Sequence, residues 1–230
     1  MKLVLVRHGE SIWNKENKFT GWTDVDLSEN GIKEAKEAGY ALSKSNIKFD
    51  EAYTSLLLRA QKTLDIIKCE LKEEIPTIKT WRLNERFYGA LQGLNKEESK
   101  KVYGEEQVKL WRRSSNVRPP EVAEDDERFP GNDPKYKDID KSLLPKTENL
   151  NDTIIRVEEI YNEIINKIKN NKNILVVAHG NSIRAIIKIL KNLNEEDLMK
   201  LEIETGNPYI IDLDKDINII EEKYLLERNK

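Results

Sequence analysis

The sequence predicts an α/β fold built around a buried parallel sheet. Two short runs, Leu3–Val6 and Ile174–Ala178, are apolar throughout and rich in β-branched residues. Such runs are typical of central strands that are covered on both faces. Segments in which apolar residues recur with helical spacing lie between and after these runs, with charged residues on their opposite sides. Because strands alternate with amphipathic helices, the α/β class follows.

Four helices are predicted from the spacing of their apolar residues. The residues on these four faces are Ile32, Ala35, Gly39 and Leu42; Ala60, Leu64, Ile67 and Leu71; Ile154, Val157, Tyr161, Ile164 and Ile168; and Ile183, Ile186, Ile187 and Leu190. Helix starts are predicted at Ser28, Asn95 and Asn194, because each offers a capping oxygen just before a helical segment.

Composition and charge limit what the chain can be. Its 230 residues fit one large domain spanning 1–230. A net charge of -3 argues against nucleic acid as a partner, since such binders need a basic face. No apolar run approaches the length of a membrane span, so no membrane partner is expected. The single cysteine, Cys69, cannot form an intramolecular disulfide and fits a cytoplasmic location.

The segment of residues 116–149, called here the proline-rich segment, breaks the regular pattern. It contains five of the seven prolines and a cluster of acidic residues at 124–127. A long irregular segment inside a domain is often a lid or a binding loop. We therefore expect this segment and the C-terminal tail to act as lids over a site.

The two histidines of the chain each follow one of the two predicted buried strands directly. His8 stands in Arg7-His8-Gly9, and His179 stands in Ala178-His179-Gly180. Ligands bind beyond the carboxyl ends of parallel strands, so the two histidines would meet there if their strands are neighbours. The glycine after each would let the backbone pass close to a ligand. The helix expected from about Asn181 offers its N-terminus to a phosphate.

Nearby cations and one acid complete a possible phosphoryl-transfer site. A guanidinium group can bind two phosphate oxygens at once, and such groups are offered by Arg7, Arg59 and the pair Arg112-Arg113. Glu85 lies in an aromatic, glycine-containing turn, where partial burial could raise the pKa of a carboxylate. Spacing alone does not select it among the 42 acidic residues, and its choice rests on the resemblance given below. Each residue also has a simpler interpretation: a histidine satisfied at a strand end, a solvated arginine, or an ion pair of Glu85 with Arg82 or Arg86.

Several motifs resemble one known family. They are LVRHGESIWN ending at Asn14, FTGWTDVDLSENG from Phe19, YTSLLLRAQKT from Tyr53, LNERFYGALQGLNK from Leu83, YGEEQVKLWRR from Tyr103, RPPE from Arg118, DDERFPGNDPKY from Asp125 and AHGNSIRA from Ala178. Together they resemble the cofactor-dependent phosphoglycerate mutases, nearly from end to end. The RHG signature marks only the wider histidine phosphatase superfamily, whereas GLNK, WRR, PPE and ERFPG resemble the mutase branch.

The resemblance implies a fold, a reaction and its participants. The fold would be a three-layer α/β/α sandwich with a mostly parallel six-stranded sheet. The reaction would interconvert 3-phosphoglycerate and 2-phosphoglycerate in glycolysis and gluconeogenesis, through a phosphohistidine primed by 2,3-bisphosphoglycerate and without a metal. The enzyme would be a homo-oligomer, either a dimer or a tetramer. One departure from the family pattern is Asn207, where an aliphatic residue is usual.

The resemblance also implies the site residues. His8 would be the nucleophile and Glu85 the proton donor and acceptor. The group holding the transferred phosphoryl would be Arg7, Asn14, Arg59 and His179. The substrate-binding residues would be Ser11, Thr20, Gly21, Arg86, Tyr88, Lys96, Arg112, Arg113, Gly180 and Asn181.

Two alternatives remain open from the sequence. One is a phosphatase of the same superfamily, which would pass the phosphoryl group from His8 to water. Such phosphatases generally lack the WRR and ERFPG blocks found here at 111–113 and 127–131. The other is a binding module on this fold without catalysis, although the chain keeps every matched catalytic position.

Overall fold

A six-stranded sheet forms the middle layer of the protein in a computed structural model that describes residues 1–227. The strands are β1 (Lys2–Arg7), β2 (Glu51–Thr54), β3 (Thr77–Lys79), β4 (Ile174–Ala178), β5 (Tyr209–Leu213) and β6 (Ile219–Tyr224). Their order is β3-β2-β4-β1-β5-β6. The first four of this order pair in parallel, and β5 and β6 are antiparallel. The expected mostly parallel sheet is therefore confirmed.

The two predicted strands are neighbours at the centre of the sheet. Leu3 of β1 pairs with Ile174 of β4, and the register continues to Arg7 opposite Ala178. Side chains alternate between the faces of a strand, so Leu3 packs into one core and its neighbour Val4 into the other. Burial on both faces explains why these strands are continuously apolar.

Helices cover both faces of the sheet and complete the three layers. The eight helices among residues 1–227 are α1 (Ile12–Lys15), α2 (Glu29–Lys44), α3 (Leu58–Leu71), α4 (Lys96–Tyr103), α5 (Glu105–Arg113), α6 (Leu150–Lys169), α7 (Gly180–Lys191) and α8 (Glu195–Lys200). Apolar residues of α6 and α7 pack on one face of the sheet, and those of α2 and α3 pack on the other. The predicted sandwich is thus present.

Capping explains where several helices begin. Ser28 Oγ accepts a hydrogen bond from the Gly31 amide at the start of α2, while Asn95 and Asn194 cap α4 and α8 in the same way. The helix after the second histidine begins one residue earlier than the sequence suggests. It starts at Gly180 with His179 as its N-cap, so the helix N-terminus faces the same space as the strand ends.

The proline-rich segment holds only short 3₁₀ turns, at Pro130–Asn132, Pro134–Tyr136 and Lys141–Leu143. It has a small apolar core of its own, in which Phe129 and Tyr136 pack with Trp22. This core fixes an otherwise irregular chain against the body of the protein. Within residues 1–227, no helix is both long and apolar enough to cross a membrane.

Candidate active site

A cleft lies beyond the carboxyl ends of β1 and β4. Its lining includes most of the residues expected from the sequence: Arg7, His8, Asn14, Thr20, Gly21, Arg59, Glu85, Tyr88, Lys96, Arg112, Arg113, Gly180 and Asn181. The amide of His8 donates to the Ala178 carbonyl at 2.9 Å, which ties the two strand ends together. The sheet topology therefore brings residues distant in sequence into one site.

The imidazole of His8 has a defined tautomer. Its Nδ1 lies 2.6 Å from the carbonyl oxygen of Gly9. A carbonyl only accepts, so Nδ1 carries the proton and Nε2 keeps its lone pair. Burial and the positive charges of Arg59 and Arg7 hold the pKa of His8 well below its ordinary value. His8 is thus a neutral imidazole with a nucleophilic Nε2 at neutral pH.

Arg59 lies beside this nitrogen. Its Nε donates to His8 Nε2 at 3.3 Å, and its two Nη atoms donate to the carbonyls of Thr23 and Gly21 at 3.0 and 2.8 Å. The guanidinium is therefore held in place from both sides. Burial lowers the pKa of Arg59 to about 10, which leaves it a cation at neutral pH. It can stabilise negative charge on a group bound to Nε2.

His179 lies behind His8 and does not line the cleft. The two rings are 4.9 Å apart between centroids, and His179 Nε2 is 2.8 Å from Ser55 Oγ. Burial, followed by the positive charge of Arg59, places the pKa of His179 well below its ordinary value. The second histidine is therefore a neutral neighbour rather than a competing nucleophile.

Glu85 presents one carboxylate oxygen to a set of donors. Its Oε1 accepts from the Arg86 amide at 2.7 Å, and from the amide and Nδ2 of Asn181 at 3.2 and 2.8 Å. Burial raises the pKa of Glu85, but these bonds and the charges of Arg7 and Arg59 outweigh it, so the pKa lies below its ordinary value. The side chain of Arg82 pairs instead with Glu159, so the simple ion-pair interpretation with Arg82 is wrong.

A buried ion pair supports the backbone of Glu85 from below. Arg156 donates to the Glu85 carbonyl at 2.9 Å and to both carboxylate oxygens of Glu148, at 2.6 and 2.9 Å. Glu148 also accepts from the Phe87 amide at 2.8 Å. Glu148 belongs to the proline-rich segment, so this segment stabilises the active-site loop from behind.

We expect the Glu148→Ala substitution to lower the free energy of unfolding by about 3–5 kcal/mol, because it leaves the Arg156 charge buried and unpaired. Urea denaturation measures the change. Arg118→Ala is the matched control: Arg118 makes a fork with Asp152 at 2.7 Å, which also links the proline-rich segment to α6, but Arg118 is 57% exposed. It should cost less than about 1 kcal/mol. Equal losses of unfolding free energy in the two variants would contradict the role of burial.

Buried polar atoms without a hydrogen-bond partner collect around the cleft. Among residues 1–227 they are Arg7 Nε, Thr20 Oγ1, Arg86 Nε and Nη1, and His179 Nδ1. All five can donate a hydrogen bond. Of these residues, Arg7 and Thr20 line the cleft. Buried polar groups are nearly always satisfied, so their unpartnered donors indicate an acceptor-rich ligand. The lining cations Lys18, Lys96, Arg112, Arg113 and Arg184 favour the same anionic ligand.

Three expected residues lie outside the lining. Ser11 caps α1, where it exchanges hydrogen bonds with Asn14. Arg86 is buried behind the wall and donates to Tyr88 Oη and the Arg112 carbonyl at 3.1 and 2.8 Å. His179 lies behind His8, as described above. Ser11, Arg86 and His179 are each next to a lining residue.

The lining also contains residues that the sequence analysis missed: Lys18, Phe19, Arg184, Glu202 and Ile203. Arg184 was within reach of sequence reasoning, because it lies four residues after Gly180 and so shares its helix face. Glu202 offered no such signal. Its carboxylate pairs with Arg113 at 2.8 Å across the cleft mouth.

One expectation about this region needs correction. Gly9 does not line the cleft; a side chain there would begin 2.2 Å from the carbonyl oxygen of Gly31, so packing against α2 demands this glycine. The proline-rich segment contributes no residue to the lining, and its expected role as a lid stays a prediction. Its side chains are engaged in the separate core around Trp22. The tail expected to act as a lid includes residues 228–230, which lie outside the described residues.

Acid should destabilise the protein through its two histidines. Both have pKa values well below 6.5 when folded, so only the unfolded chain takes up their protons as the pH falls below that value. Below pH ~6.5, the free energy of unfolding then falls by roughly 1.4 kcal/mol per histidine for each unit by which the pH decreases. Urea denaturation between pH ~7 and ~5 tests this. His8→Ala should remove one such contribution; identical pH slopes for both proteins would contradict it.

Comparison with known proteins places the chain in a family. The model of the histidine phosphatase superfamily (branch 1) matches residues 3–131 and 122–224. The chain belongs to this superfamily. It is 55% identical over its whole length, and over 93% of the relative, to a 2,3-bisphosphoglycerate-dependent phosphoglycerate mutase of Borreliella afzelii (strain PKo). A mutase with the same description from Borreliella burgdorferi (strain ZS7) is 54% identical, with the same coverage. The chain is therefore a member of the mutase family within the superfamily.

Two solved structures of phosphatases have the same fold. The alpha-ribazole phosphatase from Shigella flexneri superposes with a TM-score of 0.69 at 21% identity, covering 94% of this chain and 92% of that one. A mycobacterial glucosyl-3-phosphoglycerate phosphatase gives 0.70 at 19%, covering 97% and 96%. At such identities the likeness concerns the fold alone.

Proposed function

We propose that this protein interconverts 3-phosphoglycerate and 2-phosphoglycerate through a phosphoryl group carried on His8 Nε2. One observation carries the proposal: a neutral imidazole with its lone pair on Nε2 stands beside a fixed, buried arginine in a cleft rich in cations. A nucleophile and preorganised positive charge are what phosphoryl transfer requires. The relatives at 55% and 54% identity are phosphoglycerate mutases, and this kinship identifies the substrate.

The residues around Nε2 would hold the transferred phosphoryl group. Arg7 and Arg59 offer guanidinium donors that match phosphate oxygens. Asn14 has its Oδ1 occupied by the Ser11 amide at 3.1 Å, which orients its Nδ2 as a further donor. His179 would donate from its ring, which lies behind His8 with the two planes tilted by 60°. Their charge and hydrogen bonds would stabilise the transition state more than the bound ester.

Glu85 would move the proton of the accepting or leaving hydroxyl. It is a carboxylate in the unliganded site, as its lowered pKa indicates. A carboxylate can take the proton from a hydroxyl that attacks phospho-His8, and return it when His8 attacks the other phosphate ester. Phospho-His8 thus gives its phosphoryl group to one hydroxyl of the substrate. His8 then regains a phosphoryl group from the phosphate ester on the neighbouring carbon.

The remaining residues would bind the rest of the substrate. Lys96 begins α4, while Arg112 and Arg113 end α5, so three cations from two helices face the carboxylate and second phosphate. The other proposed contacts are Thr20, Gly21, Tyr88, Gly180 and Asn181 in the lining. Ser11 and Arg86 would act through Asn14 and Tyr88, their hydrogen-bond partners.

The cleft also fits 2,3-bisphosphoglycerate, because its unpartnered donors and cations extend from Arg7 to the end of α5. When bound, this compound supplies the phosphoryl group that charges His8. Arg7 and Arg59 would hold one phosphate at Nε2, and Lys96, Arg112 and Arg113 the other. No group of His, Cys, Asp or Glu able to hold a metal occurs within residues 1–227. We further propose a cytoplasmic, metal-independent homo-oligomer, either a dimer or a tetramer.

An enolase-coupled assay with 3-phosphoglycerate tests the function. We expect turnover that rises with catalytic amounts of 2,3-bisphosphoglycerate and survives a chelator. Release of inorganic phosphate without 2-phosphoglycerate would favour the phosphatase alternative. Ligand binding without either product would favour the non-catalytic binding module.

A further inference from the structure

Arg184 is a buried arginine at the back of the cleft that the sequence analysis did not single out. Its side chain lies on the first turns of α7, and the residue is 8% exposed. Its Nε and Nη2 donate to the Leu201 carbonyl at 3.1 and 2.6 Å, which anchors the chain after α8. The remaining nitrogen of the guanidinium, Nη1, donates to Asn181 Oδ1 at 3.2 Å.

This last contact decides the orientation of the Asn181 amide. A side-chain amide can turn over, which exchanges its oxygen and its nitrogen. A guanidinium has only hydrogen-bond donors, so it pairs with the oxygen of the amide and not with its nitrogen. With Oδ1 held by Arg184, Nδ2 must face Glu85 and Tyr88, where it donates at 2.8 and 3.3 Å.

The orientation of this amide in turn distinguishes the two oxygens of Glu85. Oε1 already accepts from the amides of Arg86 and Asn181, and Nδ2 of Asn181 is its third donor. Of these three donors, only the side-chain amide could turn and offer an acceptor instead. A turned amide would stabilise a proton on Oε1, the oxygen that the two backbone amides already hold. Oε2 accepts none of these hydrogen bonds and lies 3.7 Å from the position of a side-chain carbon built on Gly180, a residue of the cleft lining.

We propose that Arg184 is a positioning residue: by fixing the amide of Asn181 it keeps Oε1 of Glu85 an acceptor and reserves Oε2 for proton transfer. The inference rests on the proposed function of Glu85. It assigns Arg184 no contact with the reacting atoms. Its effect on the reaction passes through Asn181, so the two residues should act as one unit.

Other charged groups also act on Glu85 and have to be held constant in a test. They include Arg7 at the end of β1, Arg59 on α3, Lys96 on α4 and Tyr88 on its own loop. Arg156 of α6 also contacts Glu85, through the Glu85 carbonyl. The charge of Arg184 reaches Glu85 as well. A test must therefore separate this charge from the orientation of the amide.

The experiment compares Arg184→Gln with Arg184→Lys, each alone and combined with Asn181→Ala. Glutamine can offer either an oxygen or a nitrogen to Asn181, whereas lysine offers donors only. The readouts are the pH dependence of kcat in the enolase-coupled assay and an NMR titration of the ¹³C-labelled Glu85 carboxyl, assigned with Glu85→Gln. Lys188→Gln, which removes the same charge one turn later on α7, is the matched control.

We expect Arg184→Gln to lower kcat about 10-fold with little change in KM, and to raise the titration midpoint of Glu85 by about one pH unit. Arg184→Lys should keep the midpoint near wild type. In the Asn181→Ala background, Arg184→Gln should move the midpoint by less than ~0.3 unit, because the coupled partner is gone. Lys188→Gln should leave kcat and the midpoint unchanged.

Equal midpoint shifts with and without Asn181 would show that Arg184 acts only as a charge, and would overturn the proposal. So would an unchanged midpoint in folded Arg184→Gln. If that variant does not fold, Arg184→Lys decides: a midpoint shifted as far as in Asn181→Ala overturns the proposal. A wild-type protein without mutase turnover would refute the proposed function separately, since the NMR titration does not depend on activity.

Discussion

His8→Ala is expected to abolish phosphoryl transfer while the protein stays folded. The substitution removes Nε2, the atom whose lone pair is set by the Nδ1 hydrogen bond to Gly9. No neighbouring group can replace it, because His179 does not line the cleft and its Nε2 is engaged with Ser55. The measurements are kcat in the enolase-coupled assay and acid-labile phosphate on the protein after incubation with 2,3-bisphosphoglycerate. Both should fall to background.

His179→Gln is the informative comparison, since it alters the other histidine of the site. It should slow the reaction but leave His8 able to take up phosphate, because the nucleophile and Arg59 remain. Circular dichroism and urea denaturation check that both variants are folded. Mutase turnover in folded His8→Ala would reject His8 as the nucleophile, and phosphate retained in that variant would point to another residue.

Glu85→Gln is expected to lower kcat by about 10²–10⁴-fold, the usual contribution of a general acid or base. Glutamine keeps the shape of the side chain but cannot take up or release a proton at neutral pH. KM should change much less, because Arg7, Arg59 and the cations of α4 and α5 remain. The acidic limb of the kcat profile, which reports protonation of Glu85, should also disappear.

Glu202→Gln provides a matched control, because Glu202 is the other carboxylate of the lining. It pairs with Arg113 at the mouth, so its loss should alter KM rather than kcat. A kcat in Glu85→Gln close to wild type would place the proton transfer on another group. A larger loss of kcat in Glu202→Gln than in Glu85→Gln would exchange their roles.

The fold could be predicted from the sequence where the local pattern of apolar residues matches their burial. Leu3–Val6 and Ile174–Ala178 are apolar because both faces of the central strands are covered, and the same burial makes β1 and β4 neighbours. The edge strand β3 spans only three residues, and none of them is buried. A short edge strand that lacks a continuous apolar run gives no such pattern. Its pairing depends on contacts with β2 that are remote in sequence.

The site was predictable where each functional residue adjoins a strand end or a motif. His8 and His179 follow the two central strands, so their proximity could be inferred from topology. Glu85 was found through family resemblance alone, because its position depends on Arg156, which is 71 residues away, and on Asn181. The support that the proline-rich segment gives to the site was missed for a similar reason. Its prolines reveal irregular structure, but not that Glu148 would support the site from behind.

The central claim is that phosphate is carried on His8 Nε2, and one measurement tests it most directly. The wild-type protein is incubated with 2,3-bisphosphoglycerate, its ³¹P NMR spectrum is recorded, and the phosphorylated peptide is sequenced by mass spectrometry. We predict a single phosphohistidine, substituted at Nε2, on the peptide that contains His8. A phosphoryl group on Nδ1, on His179 or on no histidine at all would contradict the account.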